Sequence, residues 1–306
     1  MSNLHVVFGS GQIGSRVARL LQARGDRVRV VARHPTGGDE TRAGDARDLD
    51  FAASAGEGAT TVIDCMNPPY HKWKDELIAV GKGSLHAAQH NHAKLVALDC
   101  LYMYGAPDGP MTEQTPNAPC SKKGELRVQL AELRLRSGHP VAIGRASDFF
   151  GPGLTQSWWS PRALTRLANG KAMELCGDAD QPHSYSFADD VAAGLVSLAT
   201  SDATGIWHLP TLPAITTREL AAHVVPKPKM TRLSPLMLRT IGIFQPFMKE
   251  LIEMGYQWEK PFILDDSKFR ARFASEPTPL AEQVAATRLD VTRNRQTSSA
   301  PIARTD

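Results

Sequence analysis

Apolar positions along the chain follow two alternating rhythms. Short apolar or alternating runs, LHVVF (4–8), RVRVVAR (27–33), TTVIDCM (60–66), KLVALDC (94–100) and PVAIGR (140–145), have the length and β-branched content of strands. Between them apolar residues recur at helical spacing. Ile13, Val17, Leu20 and Leu21 predict a helix that Gly25 ends, and GDARDLD (44–50) opens a short one. A long helical stretch covers roughly 72–92, and SKKGELRVQLAELRLRSG (121–138) reads as an amphipathic helix closed by Gly138. Strands alternating with helices need parallel pairing with crossovers. The predicted fold class is therefore α/β, a doubly wound parallel sheet with a smaller, mixed C-terminal lobe.

The alternation loosens after about residue 150, where Pro and aromatic residues become frequent in GPGLTQSWWSP (151–161) and IFQPFMKELIEMGYQWEKPF (243–262). Residues 1–150 thus form the main domain, and FADDVAAGLVSLA (187–199) predicts a helix, near 187–200, that returns to it. Residues 151–292 are mainly a substrate lobe. RNRQTSSAPIARTD (293–306) is polar and unpatterned and reads as a disordered tail. No internal repeat is present.

The first strand runs into a glycine turn, FGSGQIG, in which Gly9, Ser10, Gly11, Gln12, Ile13 and Gly14 lead into the first helix. Strand before, helix after and second strand at the right distance are the context a Rossmann-type dinucleotide site requires. Gly9 permits the tight turn, Gly11 lets a pyrophosphate approach the backbone, and Gly14 lets helix and strand pack closely. The helix N-terminus then offers N–H groups and a positive dipole end to phosphate. An NAD site places an acid on the ribose 2′-OH about 20 residues on. Here that place holds Arg33, whose guanidinium suits a 2′-phosphate, so NADP(H) is expected over NAD(H). The alternative is an Arg that is simply solvated at the surface. Asp45, in GDARD, stands where the adenine would be contacted, with helix capping by Asp45 or Asp48 the equal alternative.

Composition changes this picture little. Hydrophobic residues make up 42% and charged residues 22%, and 35 basic against 32 acidic residues give a net charge of +3. That balance gives no reason to expect nucleic acid or a membrane surface as partner. No targeting segment or apolar span is visible. Cys65, Cys100, Cys120 and Cys176 are widely spaced, as reduced thiols in a cytoplasmic protein would be. His86 and His90 lie one helical turn apart, but without a HExxH arrangement or a third ligand no metal site is expected.

Several stretches together resemble the short-chain dehydrogenase/reductase superfamily, in its extended branch of NAD(P)-dependent epimerases and dehydratases. They are FGSGQIG, CMNPPY (65–70), YMYG (102–105) with TEQTP (112–116), GRASDFFGPG (144–153) and QPHSYSFADDVA (181–192). The resemblance extends to about residue 290. It implies a cofactor whose nicotinamide lies above the ends of the central strands, with Asn67 and Lys123 among the residues that contact it. Members of that branch carry a Ser four residues before the Tyr of the YG element, and a Tyr four residues before a Lys on the next helix. The ammonium and the nicotinamide charge lower the Tyr pKa, so that the phenolate accepts a proton. This chain departs from the pattern: Cys100 replaces the Ser, and PCSKKGE (119–125) offers Lys123 but no Tyr.

Tyr102 is the first candidate for the missing proton donor, followed by Tyr70, with Asp148 as a proton shuttle. Tyr104 shares a face with Tyr102 if the strand continues that far. Tyrosines at strand ends also commonly pack with the hydroxyl on backbone, and Cys100 also reads as a small buried hydrophobe. Trp73, Trp158 and His183 are expected around the substrate. Asp189 or Asp190 is expected to cap the helix that begins there. The chain thus reads as an NADP(H)-dependent oxidoreductase or epimerase/dehydratase-like enzyme with an altered proton relay. It would act on a small carbonyl, hydroxyl or sugar-like substrate. The rival reading is a catalytically silent NADP(H)-binding sensor. Oligomeric state is open, with a homodimer compatible.

Overall fold

The computed structural model describes residues 3–34, 40–241 and 250–299. Its centre is a seven-stranded sheet in which every neighbouring pair is parallel. The strands are β1 (Leu4–Phe8), β2 (Arg27–Ala32), β3 (Thr41–Ala43), β4 (Thr61–Asp64), β5 (Lys94–Asp99), β6 (Val141–Arg145) and Gly205–His208. In space Gly205–His208 is followed by β6, β5, β4, β1, β2 and β3. The chain therefore winds outward in one direction from β1 and in the other from β4. The crevice between their carboxyl ends is the switch point where such sheets bind ligands. The two edge strands, Gly205–His208 and β3, are too short to show as apolar runs in the sequence.

Helices α1 (Gly14–Ala23), α2 (Leu49–Ala55), α3 (Trp73–His90) and α4 (Lys122–Leu135) cover the sheet with the helix Ala188–Ala199. Alternate strand residues feed two cores. Val7, Ile63, Val96 and Ala142 pack with Val17 and Leu21 of α1 and with Val191 and Leu195. Val6, Phe8, Val62, Leu95 and Ile143 pack with Ala52, Leu85, Ala88 and Ala131 of α2, α3 and α4. Burial on both faces is why the strands read as nearly continuous apolar runs. The helix expected from residue 44 begins at Leu49, because the Asp48 carboxylate accepts from the backbone N–H groups of Asp50 and Phe51 and fixes the start there. Ser121 caps α4 through Gly124 N–H at 3.0 Å. Below the site, buried Asp64 is satisfied by Arg134 of α4 and by the Ser84 hydroxyl of α3, fastening both helices to β4.

The C-terminal lobe pairs 148–150 with 185–187 and 173–175 with 230–232 in parallel, and 182–183 with 215–216 antiparallel. Its core joins Phe150, Trp159, Leu164, Tyr185, Leu220 and Val284. Of the tail expected from residue 293, 293–299 continue the helix Leu280–Ser299, and 300–306 lie outside the described residues. Among the described residues no helix is long and apolar enough to cross a membrane.

Candidate cofactor and substrate site

The glycine turn sits at the switch point. Gly9 N–H donates to Val31 O at 2.8 Å, and Gly9 adopts φ +101°, which an L side chain rarely tolerates. A Cβ on Gly14 would overlap the Gly9 carbonyl oxygen, whereas one on Gly11 would meet nothing within 4 Å. Two glycines thus close the turn and the third leaves open space. No side chain caps the N-terminus of α1. The turn opens into a cavity of about 330 Å³ whose lining includes Gly11, Arg33, Asp45, Arg47 and Asn67. Open space at Gly11, an uncapped helix start and two guanidiniums at the far end fit a dinucleotide phosphate chain.

Arg33 lies just past the end of β2 and is exposed. Asp45 does line the cavity, but its carboxylate is taken up by Arg47: Nε at 2.9 Å and 3.0 Å, Nη2 at 2.5 Å and the backbone N–H at 2.9 Å. Those hydrogen bonds hold the Asp45 carboxyl below its ordinary range. Asp48, not Asp45, caps α2. Arg16 of α1 clamps the turn to the lobe, with Nε on Asp189 at 2.7 Å, Nη1 on Gln12 O at 2.5 Å and Nη2 on Pro152 O at 2.6 Å. Neither Asp189 nor Asp190 caps the helix that starts at Ala188: the first serves Arg16, and the second accepts from Thr278.

A second cavity, of about 750 Å³, shares Gln12, Asn67, Phe149 and Gln156 with the first. Tyr70, Trp73, Cys100, Tyr102, Asp148 and Trp158 line it. Of the expected candidates, His183 is fully buried and does not line this cavity; the others converge, with two exceptions. Tyr104 does not join them. The strand ends at Asp99 and a tight helical turn over Tyr102–Tyr104 replaces it, so strand alternation no longer holds. The Tyr104 hydroxyl instead accepts from Arg145 Nη1 at 2.6 Å and meets His208 Nε2 at 2.7 Å in the interior.

The second exception is Lys123. Its ammonium is 3% exposed and is held by the Glu250 and Glu253 carboxylates of the C-terminal segment. It stands 5.2 Å from the centroid of the Tyr70 ring. The cation lining the cavity from α4 is Arg127, one turn further on. Its Nη2 donates to Asn67 Oδ1 at 2.8 Å and its Nη1 to Asp99 Oδ1 at 3.2 Å, and it lies 4.3 Å from the Trp73 ring centroid. Its i+4 spacing from Lys123, which places both on one helix face, is the signal in the sequence that points to it.

The Tyr70 and Tyr102 hydroxyls are 2.6 Å apart. Burial drives the phenol of each well above its ordinary value, and for Tyr70 Arg127 works in the opposite sense. Both are therefore neutral donors at neutral pH. Burial likewise pushes the Cys100 thiol up to about 12, so it is no base there. Trp73 is fixed by its indole N–H on Pro68 O at 2.7 Å, and Trp158 packs edge-on against Trp258 at 5.5 Å.

His183 is fully buried and stacks between Trp258 and Phe262. Its Nδ1 faces the Gln257 carbonyl at 3.2 Å and its Nε2 faces Asp148 Oδ2 at 2.8 Å. Asp148 thus stands in the cavity wall with the His183 imidazole hydrogen-bonded behind it. Among the described residues no group of His, Cys, Asp and Glu is placed to hold a metal ion.

A family model described as the NAD dependent epimerase/dehydratase family matches residues 6–208. No curated protein matches the chain. Among solved structures, the Bordetella bronchiseptica enzyme WbmH in complex with NAD+ is 20% identical, with 95% of this chain and 99% of that one covered and a TM-score of 0.75. A dTDP-glucose 4,6-dehydratase from Bacillus anthracis in complex with NAD is 14% identical, with 96% and 98% covered and a TM-score of 0.77. A UDP-glucuronic acid 4-epimerase from Bacillus cereus in complex with NAD is 15% identical, with 95% and 99% covered and a TM-score of 0.74. At these identities the likeness is one of fold.

Proposed function

The chain belongs to the NAD-dependent epimerase/dehydratase family, and from that premise we propose that it is an NADP(H)-dependent enzyme, an oxidoreductase or epimerase/dehydratase, acting on a small carbonyl, hydroxyl or sugar-like substrate. The observation that carries the reading is the meeting of two cavities at Asn67, with the Tyr70–Tyr102 pair in the wall of the larger one. The cofactor, when bound, supplies or accepts a hydride. Gly9, Ser10, Gly11, Gln12, Ile13 and Gly14 hold its pyrophosphate, and Arg33, with Arg47 beside it, favours a 2′-phosphate.

This chain's residues then handle the proton. Tyr102 donates to a carbonyl oxygen that gains charge, and Tyr70 donates to Tyr102 in turn, so the phenolate that forms is never left unpaired in a buried wall. Asp148, in the same cavity wall and hydrogen-bonded to His183, is the group that returns a proton to the pair. Trp73 and Trp158 shape the apolar part of the substrate cavity and keep water out.

A catalytically silent NADP(H)-binding sensor is the second reading. It draws on Lys123, which is engaged by Glu250 and Glu253 instead of standing free at the cavity. NADPH consumption across a panel of aldehydes, ketones and nucleotide sugars separates the two. Turnover with any member supports the enzyme, binding of both redox states without turnover supports the sensor, and no binding of NADPH overturns both.

A further inference from the structure

We infer that Arg127, rather than Lys123, is the cation of this chain that receives the ribose on the nicotinamide side of the cofactor. The inference rests on the proposed NADP(H) site and adds a residue to it. Lys123 is spent: two carboxylates from the C-terminal segment hold its ammonium in a buried position. Freeing it would break both ion pairs and leave Glu253 its hydrogen bond from Lys122 N–H at 3.1 Å.

Arg127 stands one turn along the same face of α4, and its guanidinium is aligned from three sides. Asn67 takes Nη2, Asp99 takes Nη1, and the Trp73 ring lies against its plane. Its Nε–H is buried and has no hydrogen-bond partner among the described residues. A buried donor without an acceptor is costly, and the cost disappears if a ligand oxygen accepts from it. The location decides which oxygen. Asn67 lines both cavities and Arg127 lines the larger, so the pair stands where the dinucleotide passes from the pyrophosphate turn into the substrate cavity. With a 2′-phosphate held at Arg33 as proposed, the part of the cofactor whose hydroxyls would meet Arg127 is the nicotinamide-side ribose.

The test is calorimetric binding of NADPH and of 2′,5′-ADP, which carries the adenine end alone, to the full chain and to Arg127→Met, Arg127→Lys and Lys123→Met. Arg127→Met is expected to weaken NADPH by about 10-fold or more and to leave 2′,5′-ADP within about twofold, the second ligand also reporting that the fold is intact. Lys123→Met is expected to leave the ratio of the two affinities unchanged. Should Arg127→Met lose both ligands by misfolding, Arg127→Lys keeps a cation against Asp99 without the Nε donor, and the same selective loss is expected. Equal effects on both ligands in Arg127→Lys, or a selective loss of NADPH in Lys123→Met, would overturn the inference. Failure of the unaltered chain to bind NADPH would instead overturn the cofactor reading beneath it.

Discussion

Tyr70 and Tyr102 meet hydroxyl to hydroxyl at 2.6 Å although 32 residues separate them in sequence. Parallel pairing of β4 with β5 brings this about, because the loops after both strands then leave the sheet at the same end. In the proposed function the pair stands in for a helix-borne phenol, each tyrosine lying in the loop after a sheet strand. With burial holding both groups neutral, the arrangement serves proton donation to a substrate better than proton abstraction from it.

Arg33→Ala is expected to weaken NADPH by about 10- to 100-fold, the range for losing charge-assisted hydrogen bonds to a phosphate, and to leave NADH nearly unchanged. Calorimetric titration with both cofactors measures this. An unchanged preference after the substitution removes Arg33 from the site.

Asp148→Asn keeps a partner for His183 Nε2, because the amide can rotate to donate, but removes the carboxyl proposed to relay the proton. Thermal stability is expected to stay within about 1 kcal/mol of the parent and turnover to fall by about 100-fold, the lower end of the range for general acid–base groups. Unaltered turnover would show that the pair only holds the lobe together.

His208 carries a pH dependence of stability. Burial, with Arg145 adding to it, holds its imidazole below the ordinary 6.5, against an opposing pull from Glu113. Below about 6.5 the unfolded chain therefore binds a proton that the folded chain refuses. Its contribution is complete above that pH and is lost as pH falls, by at most about 1.4 kcal/mol per pH unit. Urea unfolding of the parent and His208→Gln at pH 7 and pH 5 is expected to show the stability gap narrowing toward pH 5. A gap that stays constant contradicts the assignment.

Five of the seven sheet strands, the glycine turn and the order of the first helices are legible in the sequence because each is specified locally, by strand runs, helical spacing and backbone conformation at Gly9; the short edge strands Thr41–Ala43 and Gly205–His208 are not. What the sequence concealed depends on distant partners. Lys123 matched its position by resemblance, yet Glu250 and Glu253, more than 120 residues on, decide where its charge goes. Tyr104 left the site because the strand ends at Asp99, and an alternation rule has no means of locating that end. Arg127 looked like one of several basic residues on an amphipathic helix until Asn67, Asp99 and Trp73 closed around it. Asp45 lines the cavity, but Arg47, two residues away, takes up its carboxylate.

The central claim, that Tyr102 supplies the proton in place of a helix tyrosine, is tested most directly by turnover of Tyr102→Phe at saturating NADPH with a carbonyl substrate found by the panel. The account predicts a fall in kcat of about 100- to 10,000-fold with NADPH affinity unchanged. A variant that turns over within about twofold of the parent would place the proton donor elsewhere and contradict it.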